Sequence, residues 1–187
     1  MKTDWKPGTM LNPLPAGLVT CGDDEQSNML TVAWAGTVCT NPAMLSISVR
    51  PERFSYDIIR RSMEFTVNLT TATMARATDL AGVRSGRDCD KWALTGLTPE
   101  HGVAVACPSI AESPLSIECK VRRIIPLGSH DMFLADVVNV RADESLIDPT
   151  TGKFALADSE LLVYAHGAYY ATGRYLGHFG FSVRRKK

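Results

Sequence analysis

The sequence lacks several features that would assign it to a functional class directly. Its 20 Lys and Arg residues balance its 20 Asp and Glu residues, which argues against a general nucleic-acid-binding protein because phosphate neutralisation needs a basic surface. No apolar run approaches the roughly 20 residues of a membrane-spanning helix. The five cysteines are an odd number with irregular spacing, which argues against a disulfide framework. No CxxC pair occurs, which argues against a zinc or thioredoxin-type site. There is no GxGxxG motif, so no Rossmann domain for a bound dinucleotide is predicted.

The distribution of strands and turns predicts a mainly β protein with a few helices. A length of 187 residues is typical of one domain, so we expect residues 1–187 to form a single domain with a flexible basic tail at 184–187. Many short strands separated by turns favour an antiparallel barrel that is closed or nearly closed. The predicted strands are 16–21, 30–39, 45–50, 64–69, 115–125, 132–141 and 161–164, and the predicted helices are 56–60 and 71–80.

The stretch from Ser27 to Tyr56 is the most informative part of the chain. Its two strands, joined by a turn at Asn41-Pro42, sort their residues into two faces. The bulky face carries Leu30, Val32, Trp34, Val38, Leu45, Ile47 and Val49. The opposite face carries Thr31, Ala33, Ala35, Thr37, Cys39, Ser46, Ser48 and Arg50. This second face is small and rich in hydroxyl groups, so it leaves room for a flat molecule, and its arginine suits the oxygens of a phosphate.

A short helix follows these strands. Ser55 is predicted to be its N-cap, with Asp57 in the first turn. A helix N-terminus beside Arg50 and Arg53 would form an anion site. The alternative is a capped connector helix whose two arginines face solvent, and the pattern alone favours neither.

Two further segments carry candidate functional residues. The loop from Ser85 to Trp92 is rich in charge; Lys91 could contact a ligand there, or the loop could be solvated with Trp92 as its anchor. His130 lies in the loop of a predicted hairpin and is the usual residue type for proton transfer near neutral pH. Its neighbours Ser129 and Asp131 are consecutive with it and cannot converge as a hydrolytic triad. A lone loop histidine could also simply be exposed.

The order of several short segments is similar to that of one family. The chain resembles the flavin-reductase-like FMN-binding split-barrel proteins, and their flavoredoxin branch in particular. The matching segments cover nearly the whole chain and are Asn28–Trp34, Asn41-Pro42, Ser46–Tyr56, Glu64–Asn68, Ser85–Trp92, Ile117–Cys119, Gly128–His130 and Tyr169–Gly173.

The resemblance implies a fold, a cofactor and a set of site residues. The implied fold is an antiparallel, Greek-key-like split β-barrel, and the implied cofactor is FMN, bound at the interface of a homodimer. His130 is implied as a catalytic residue near the flavin and an incoming nicotinamide, and Lys91 is placed near the flavin edge or phosphate. The implied cofactor-binding residues are Asn28, Leu30, Thr31, Val32, Ala33, Trp34, Ser48, Val49, Arg50, Ser55, Tyr56 and Lys91.

Two functions fit this reading. One is an NAD(P)H-dependent flavin (FMN) reductase, an enzyme that transfers hydride to flavin N5 with the nicotinamide docked only transiently. The alternative is a flavoredoxin-like carrier that exchanges electrons with a redox protein and uses no nicotinamide. A barrel that has lost its cofactor is disfavoured because Ser48, Arg50 and Ser55 are all present. The lack of a signal-peptide pattern and of paired cysteines predicts a cytoplasmic protein, with no metal, nucleic acid or membrane as a partner.

Overall fold

The structure is a computed structural model that describes residues 1–183, so the basic tail at 184–187 lies outside the described residues. It contains short strands and three α-helices. The strands are β1 Leu14–Pro15, β2 Gly17–Gly22, β3 Ser27–Val32, β4 Ala35–Cys39, β5 Met44–Val49, β6 Glu64–Asn68, β7 Pro99–Glu100, β8 Ser109–Ile110, β9 Leu115–Pro126, β10 Asp131–Ala142, β11 Leu162–Ala165 and β12 Ala168–Ala171. The helices are α1 Phe54–Ser62, α2 Ala75–Val83 and α3 Lys91–Thr95. None of the described helices is long and apolar enough to cross a membrane.

A seven-stranded antiparallel sheet forms the body of the fold, in the order β3-β2-β6-β9-β10-β5-β4. Strands β3 and β4 follow each other in the chain but lie at opposite edges of this sheet. Only Ala33 and Trp34 separate them, so the sheet must curl until its two edges nearly meet. The Ser48 amide donates to the Trp34 carbonyl at 2.8 Å, which joins the crossover to β5. The predicted antiparallel, nearly closed barrel is confirmed.

The prediction of one continuous strand from residue 30 to 39 is wrong. Leu30 and Val32 are buried as predicted, but Trp34 is 39% exposed and Val38 is 50% exposed. The backbone leaves the ladder after Val32 and starts a new one at Ala35. The alternation of apolar residues therefore continues through the sequence from Leu30 to Val38, although β3 and β4 are separate strands in different surroundings.

Two buried clusters fill the space around the sheet. The larger lies inside the curled sheet, where α1 covers one open side, and its most deeply buried members include Ile47, Ile59, Phe65 and Phe133. The smaller lies beneath α2, where the predicted face of Met74, Ala77, Thr78 and Ala81 is buried as expected. The buried face is therefore as predicted, but the predicted helix 71–80 is observed as a 3₁₀ turn at Ala72–Met74 followed by α2 at Ala75–Val83.

The two long strands β9 and β10 form the predicted hairpin, joined by residues 127–130. A separate small sheet of β1, β11 and β12 was only partly predicted, because β1 and β12 are short and follow no clear alternation. It is attached to the main sheet by hydrogen bonds such as those from Ala16 N to Leu162 O and from Leu162 N to Thr70 O. This attachment places Tyr164 and Tyr169 beside the crossover.

Candidate functional site

Two neighbouring cavities lie along the seam where the sheet edges approach each other. The large cavity has a volume of about 420 Å³ and is lined by Ala16, Leu30, Thr31, Val32, Ala33, Trp34, Ser48, Val49, Arg50, Arg53, Gly82, Val83, His130, Tyr164 and Tyr169. The basic cavity has a volume of about 200 Å³ and is lined by Asn28, Leu30, Arg50, Glu52, Arg53, Phe54, Ser55, Arg84, Ser85, Gly86, Arg87 and Lys91. The two share Leu30, Arg50 and Arg53. Together they make one elongated site with a largely apolar end and a cationic end.

The crossover forms one wall of the large cavity. Ala33 and Trp34 stand outside the regular pairing of β3 and β4. Their carbonyls accept from the amides of Ala35 and Ser48, so it is their main-chain amides that face a ligand. Beside them the Thr31 hydroxyl donates to the Thr78 carbonyl of α2. A Cβ built on Gly82 would lie 3.2 Å from the Cβ of Thr31. Glycine at this position therefore lets the end of α2 approach β3 closely.

Aromatic side chains form another part of the lining, which begins at the Trp34 ring. The Trp34 and His130 rings are stacked with centroids 6.4 Å apart and planes inclined by 5°. Tyr164 lies 6.4 Å from Trp34 and 5.8 Å from Tyr169. Burial, followed by the nearby Asp79 carboxylate, raises the pKa of Tyr169, so its phenol remains neutral at physiological pH. The wall is flat and aromatic, and it is suited to a planar ring.

The arginines of the basic cavity are held by carboxylate and carbonyl acceptors. Arg50 Nη1 pairs with Glu52 Oε1 at 3.0 Å, and Arg53 Nη1 donates to the Gly82 carbonyl at 3.1 Å. Arg87 Nη1 donates to the Glu52 carbonyl at 2.9 Å, and its guanidinium lies over the Phe54 ring. These contacts gather several positive charges around a small space, which favours an anionic ligand.

Ser55 lines this cavity, but the predicted N-cap role is wrong. Helix α1 begins at Phe54 and its N-cap is Arg53, with no side-chain cap bond. Ser55 is therefore inside the first turn, where it is 1% exposed and its Oγ accepts from Asn28 Nδ2 at 2.6 Å. The N-cap lies two residues earlier than the cap pattern suggested. The Ser55 hydroxyl accepts from Asn28 and retains its own proton for a ligand.

Lys91 is buried at the far wall of the basic cavity. Its Nζ donates to the Met29 carbonyl of β3 at 2.8 Å and to the Ala81 carbonyl of α2 at 2.6 Å. An ammonium group has three donors, so these bonds leave one for a ligand. Burial, followed by the charge of Arg53, lowers the pKa of Lys91 to about 8. Lys91 thus ties an edge strand to a helix as well as supplying charge to the cavity.

Most of the predicted site residues lie along the two cavities. Those at the large cavity are Leu30, Thr31, Val32, Ala33, Trp34, Ser48, Val49, Arg50 and His130. Those at the basic cavity are Asn28, Leu30, Arg50, Ser55 and Lys91. Tyr56 lines neither: its side chain is buried in the core, and its hydroxyl donates to Asp131. The position of Tyr56 on the inner face of α1 is the physical reason that it lies away from both cavities.

The lining residues that the sequence did not predict include four with large polar or aromatic side chains, namely Arg84, Arg87, Tyr164 and Tyr169. The arginines flank Ser85-Gly86, and a Cβ on Gly86 would lie 2.5 Å from Asn28 Oδ1 and 2.6 Å from Phe54 Cδ1. A basic pair around a glycine was the available signal for this close approach. The tyrosines come from a distant part of the chain, and no local pattern marks them. Among residues 1–183, no group of three or more His, Cys, Asp or Glu side chains is placed to hold a metal ion.

Comparison with known proteins places this geometry in a family. The model of the flavin reductase like domain matches residues 10–173. The structure of a flavoredoxin from Desulfovibrio vulgaris (Miyazaki F) superposes with a TM-score of 0.90 and 30% identity, covering 98% of this chain and all of that one. A flavoredoxin from Methanosarcina acetivorans has the same fold, with a TM-score of 0.87 and 23% identity over 98% of this chain and all of that one.

A curated relative with a described activity is also similar. The NADH-dependent FMN reductase of Streptomyces nodosus subsp. asukaensis is 27% identical over 173 residues, which are 90% of this chain and 83% of that protein. The predicted flavin-reductase-like split barrel is confirmed by the family model and by the fold. With its seam-lining cavities and matched residues, the chain belongs to the flavin reductase like domain family.

Proposed function

We propose that this protein binds FMN along the seam, with the isoalloxazine ring in the large cavity and the phosphate in the basic cavity. The observation that carries the proposal is the continuity of the two cavities through Leu30, Arg50 and Arg53. An elongated site with one aromatic end and one cationic end matches a molecule that has a flat ring and a terminal phosphate. We further propose that residues 1–187 act as one flavin-binding domain.

The residues present fit this cofactor at its phosphate end. Arg50 and Arg53 supply guanidinium groups, the Ser55 hydroxyl retains a proton to donate, and Lys91 has a remaining ammonium donor. Each charge-assisted bond to a phosphate oxygen contributes roughly 1.5–3 kcal/mol. A flavin without the phosphate would leave these groups without a ligand.

The ring end fits as well. The crossover at Ala33 and Trp34 presents main-chain groups that can pair with the polar edge of the ring, and Ala33 has a side chain small enough for close approach. Ser48 adds a hydroxyl beside them. The stacked Trp34 and His130 pair faces the same space. Protein groups of this kind orient a flavin and tune its electronics.

We propose that the activity is reduction of FMN by NAD(P)H. FMN, when bound, supplies a hydride acceptor at N5, and the residues of the large cavity orient the nicotinamide. Tyr164 and Tyr169 exclude water from one side, while His130 stands where it can hold or release a proton. The similarity to an NADH-dependent FMN reductase supports this activity.

A second candidate is electron transfer to a redox protein without a nicotinamide. It is supported by the 30% identity to a flavoredoxin across nearly the whole chain. The partly exposed Trp34 ring, next to the cavity, would provide a short path for electrons to a docked protein. The two candidates differ in the donor that reduces the flavin, and this is what an experiment must measure.

We also propose that the protein is a cytoplasmic homodimer. All five cysteines are free thiols, which suits a reducing compartment. Large apolar side chains near both ends of the chain are exposed, including Trp5, Leu11, Tyr175, Leu176 and Phe179. Such a concentration of exposed apolar surface favours an interface, and a second copy would bury it.

Arg50→Ala should weaken FMN binding on the order of tenfold, because one guanidinium–phosphate interaction of about 1.4 kcal/mol or more is lost. Titration of the protein with FMN and with riboflavin measures the effect. Arg61→Ala is the matched control, since Arg61 is exposed on α1 and lines neither cavity. Equal affinity of the wild type for FMN and riboflavin would show that the basic cavity does not hold the phosphate.

FMN affinity should fall as the pH rises from 7.5 towards 9.5, a range chosen around the Lys91 pKa of about 8. A bound phosphate favours the charged ammonium and raises this pKa in the complex, so binding takes up a proton wherever the free protein has lost one. The dissociation constant should then increase by up to about tenfold per pH unit. In Lys91→Met this dependence should be absent. A wild-type affinity that stays constant across the range would rule out a charged Lys91 at the phosphate.

NADH or NADPH should bleach the oxidised-flavin absorption of the anaerobic FMN-loaded protein. His130→Ala should slow this step while leaving the FMN content near normal, because His130 faces the large cavity and not the basic one. Stopped-flow rates report the change in barrier, and His101→Gln, an exposed site, serves as the control. If a reduced iron–sulfur protein bleaches the flavin and neither nicotinamide does, the electron carrier is the correct function.

Light scattering of the FMN-loaded protein should give the mass of two chains. The double substitution Leu11→Ser and Phe179→Ser should weaken the dimer, since both side chains are exposed apolar groups in one chain. Val103→Ser, also at an exposed apolar residue, is the control and should leave the dimer intact. A monomer that retains FMN fully would contradict the shared site.

A further inference from the structure

Tyr56 links helix α1 to the base of the β9–β10 hairpin. Its hydroxyl donates to Asp131 Oδ2, and its ring packs edge-on against Phe133 with centroids 5.5 Å apart. The side chain is only 7% exposed. The hydrogen bond to Asp131, followed by burial, raises the pKa of Tyr56, so the phenol keeps its proton and remains a donor at neutral pH.

Asp131 is the fixed end of the loop that carries His130. It pairs with Val49 of β5 on one side and with Pro126 of β9 on the other. Within the loop, the Leu127 amide donates to the His130 carbonyl at 3.0 Å. The imidazole Nδ1 of His130 lies 2.9 Å from Ser129 Oγ in the same loop, so the imidazole moves with the loop, and the loop is anchored at Asp131.

The first turn of α1 also contacts the basic cavity, through residues next to Tyr56. Phe54 and Ser55, directly before Tyr56, both line it. Consecutive residues of α1 thus contact the proposed phosphate end, through Ser55, and the proposed ring end, through Tyr56, Asp131 and His130. The connection consists of one helical turn and one partly buried hydrogen bond.

We propose that Tyr56 is a positioning residue: its hydroxyl, acting through Asp131, fixes the His130 loop against the large cavity and couples that loop to the helix at the basic cavity. The contribution of this coupling to turnover rests on the proposed reductase function. The claim that Tyr56 positions His130 is independent of that function. A residue that only filled the core would affect stability and leave the geometry of His130 unchanged.

Nuclear magnetic resonance of the FMN-loaded protein tests the positioning directly. The stacked Trp34 ring shifts the imidazole resonances of His130, which a His130→Gln spectrum assigns among the four histidines. Tyr56→Phe retains the ring contact with Phe133 and removes only the hydroxyl. We expect it to shift the His130 resonances, leave those of His101, His166 and His178 in place, and keep FMN affinity within about threefold of wild type.

The matched control is Tyr170→Phe, because Tyr170 is exposed and lines neither cavity. It should leave all four histidines unchanged. Asp131→Ala removes the acceptor from the other side and should shift the same His130 resonances. Asp131→Asn retains an acceptor oxygen and should leave them near their wild-type positions. These two variants decide the question if Tyr56→Phe does not fold.

Kinetics provide a second and separate measurement. Tyr56→Phe should slow flavin reduction by up to about a hundredfold, the range expected for misplacement of a positioned group. In a His130→Ala background it should have no further effect, because the two residues act as one unit. A fully additive loss in the double variant, or unchanged His130 resonances in Tyr56→Phe, would overturn the proposal. Failure of both nicotinamides to reduce the wild type would refute the reductase function, and the resonance measurement would still decide the role of Tyr56.

Discussion

The whole arrangement depends on one topological constraint, which is that β3 and β4 are joined by two residues and yet lie at opposite edges of one sheet. So short a connection cannot cross a flat sheet of seven strands, so the sheet must curl. The curled edges do not pair fully with each other, and the gap between them is the seam. The site lies in this gap. The crossover at Ala33 and Trp34 forces the sheet to curl, and it also forms one wall of the gap that remains.

The basic cavity is defined by positive side chains that are held close together. Arg50, Arg53 and Lys91 are near one another, and each is oriented by an oxygen acceptor. Their mutual repulsion is visible in the lowered pKa of Lys91, where Arg53 adds to the effect of burial. A protein that holds like charges together without a ligand gains stability when an anion arrives, because the anion relieves the repulsion and binding to the folded state stabilises it.

The fold could be predicted from the sequence wherever a local pattern of apolar residues corresponded to one buried face of a strand or helix. The alternation of Leu45, Ile47 and Val49 and the helical spacing of Met74, Ala77 and Ala81 correspond to buried faces in the structure. The crossover could not be predicted, because Trp34 continues the alternation of β3 while the backbone has already left that strand. The alternation of side chains alone does not show where the hydrogen-bonded pairing of a strand ends.

The site could be predicted only in part, for a similar reason. The segment that matches the family carries most of the lining residues, and the resemblance identified them together. Ser55 was interpreted as the N-cap of a helix that in fact begins one residue before it. Tyr56 was placed at the cofactor by the resemblance, and it faces the core instead. Arg84 and Arg87 were marked only by the glycine between them, which the prediction did not use. Tyr164 and Tyr169 reach the large cavity from the small sheet, and no local pattern marks such a distant segment.

The crossover has a consequence for how this family diverges. It is attached to β5 by the Ser48 amide and the Trp34 carbonyl, which are main-chain groups that every residue type except proline supplies. Substitutions of the side chains at 33 and 34 therefore leave the closure of the barrel intact while they change the surface presented to a ligand. Because main-chain atoms hold the crossover in place, the residues beside the ligand can change without loss of the fold. One fold can in this way support reactions with different electron donors or acceptors.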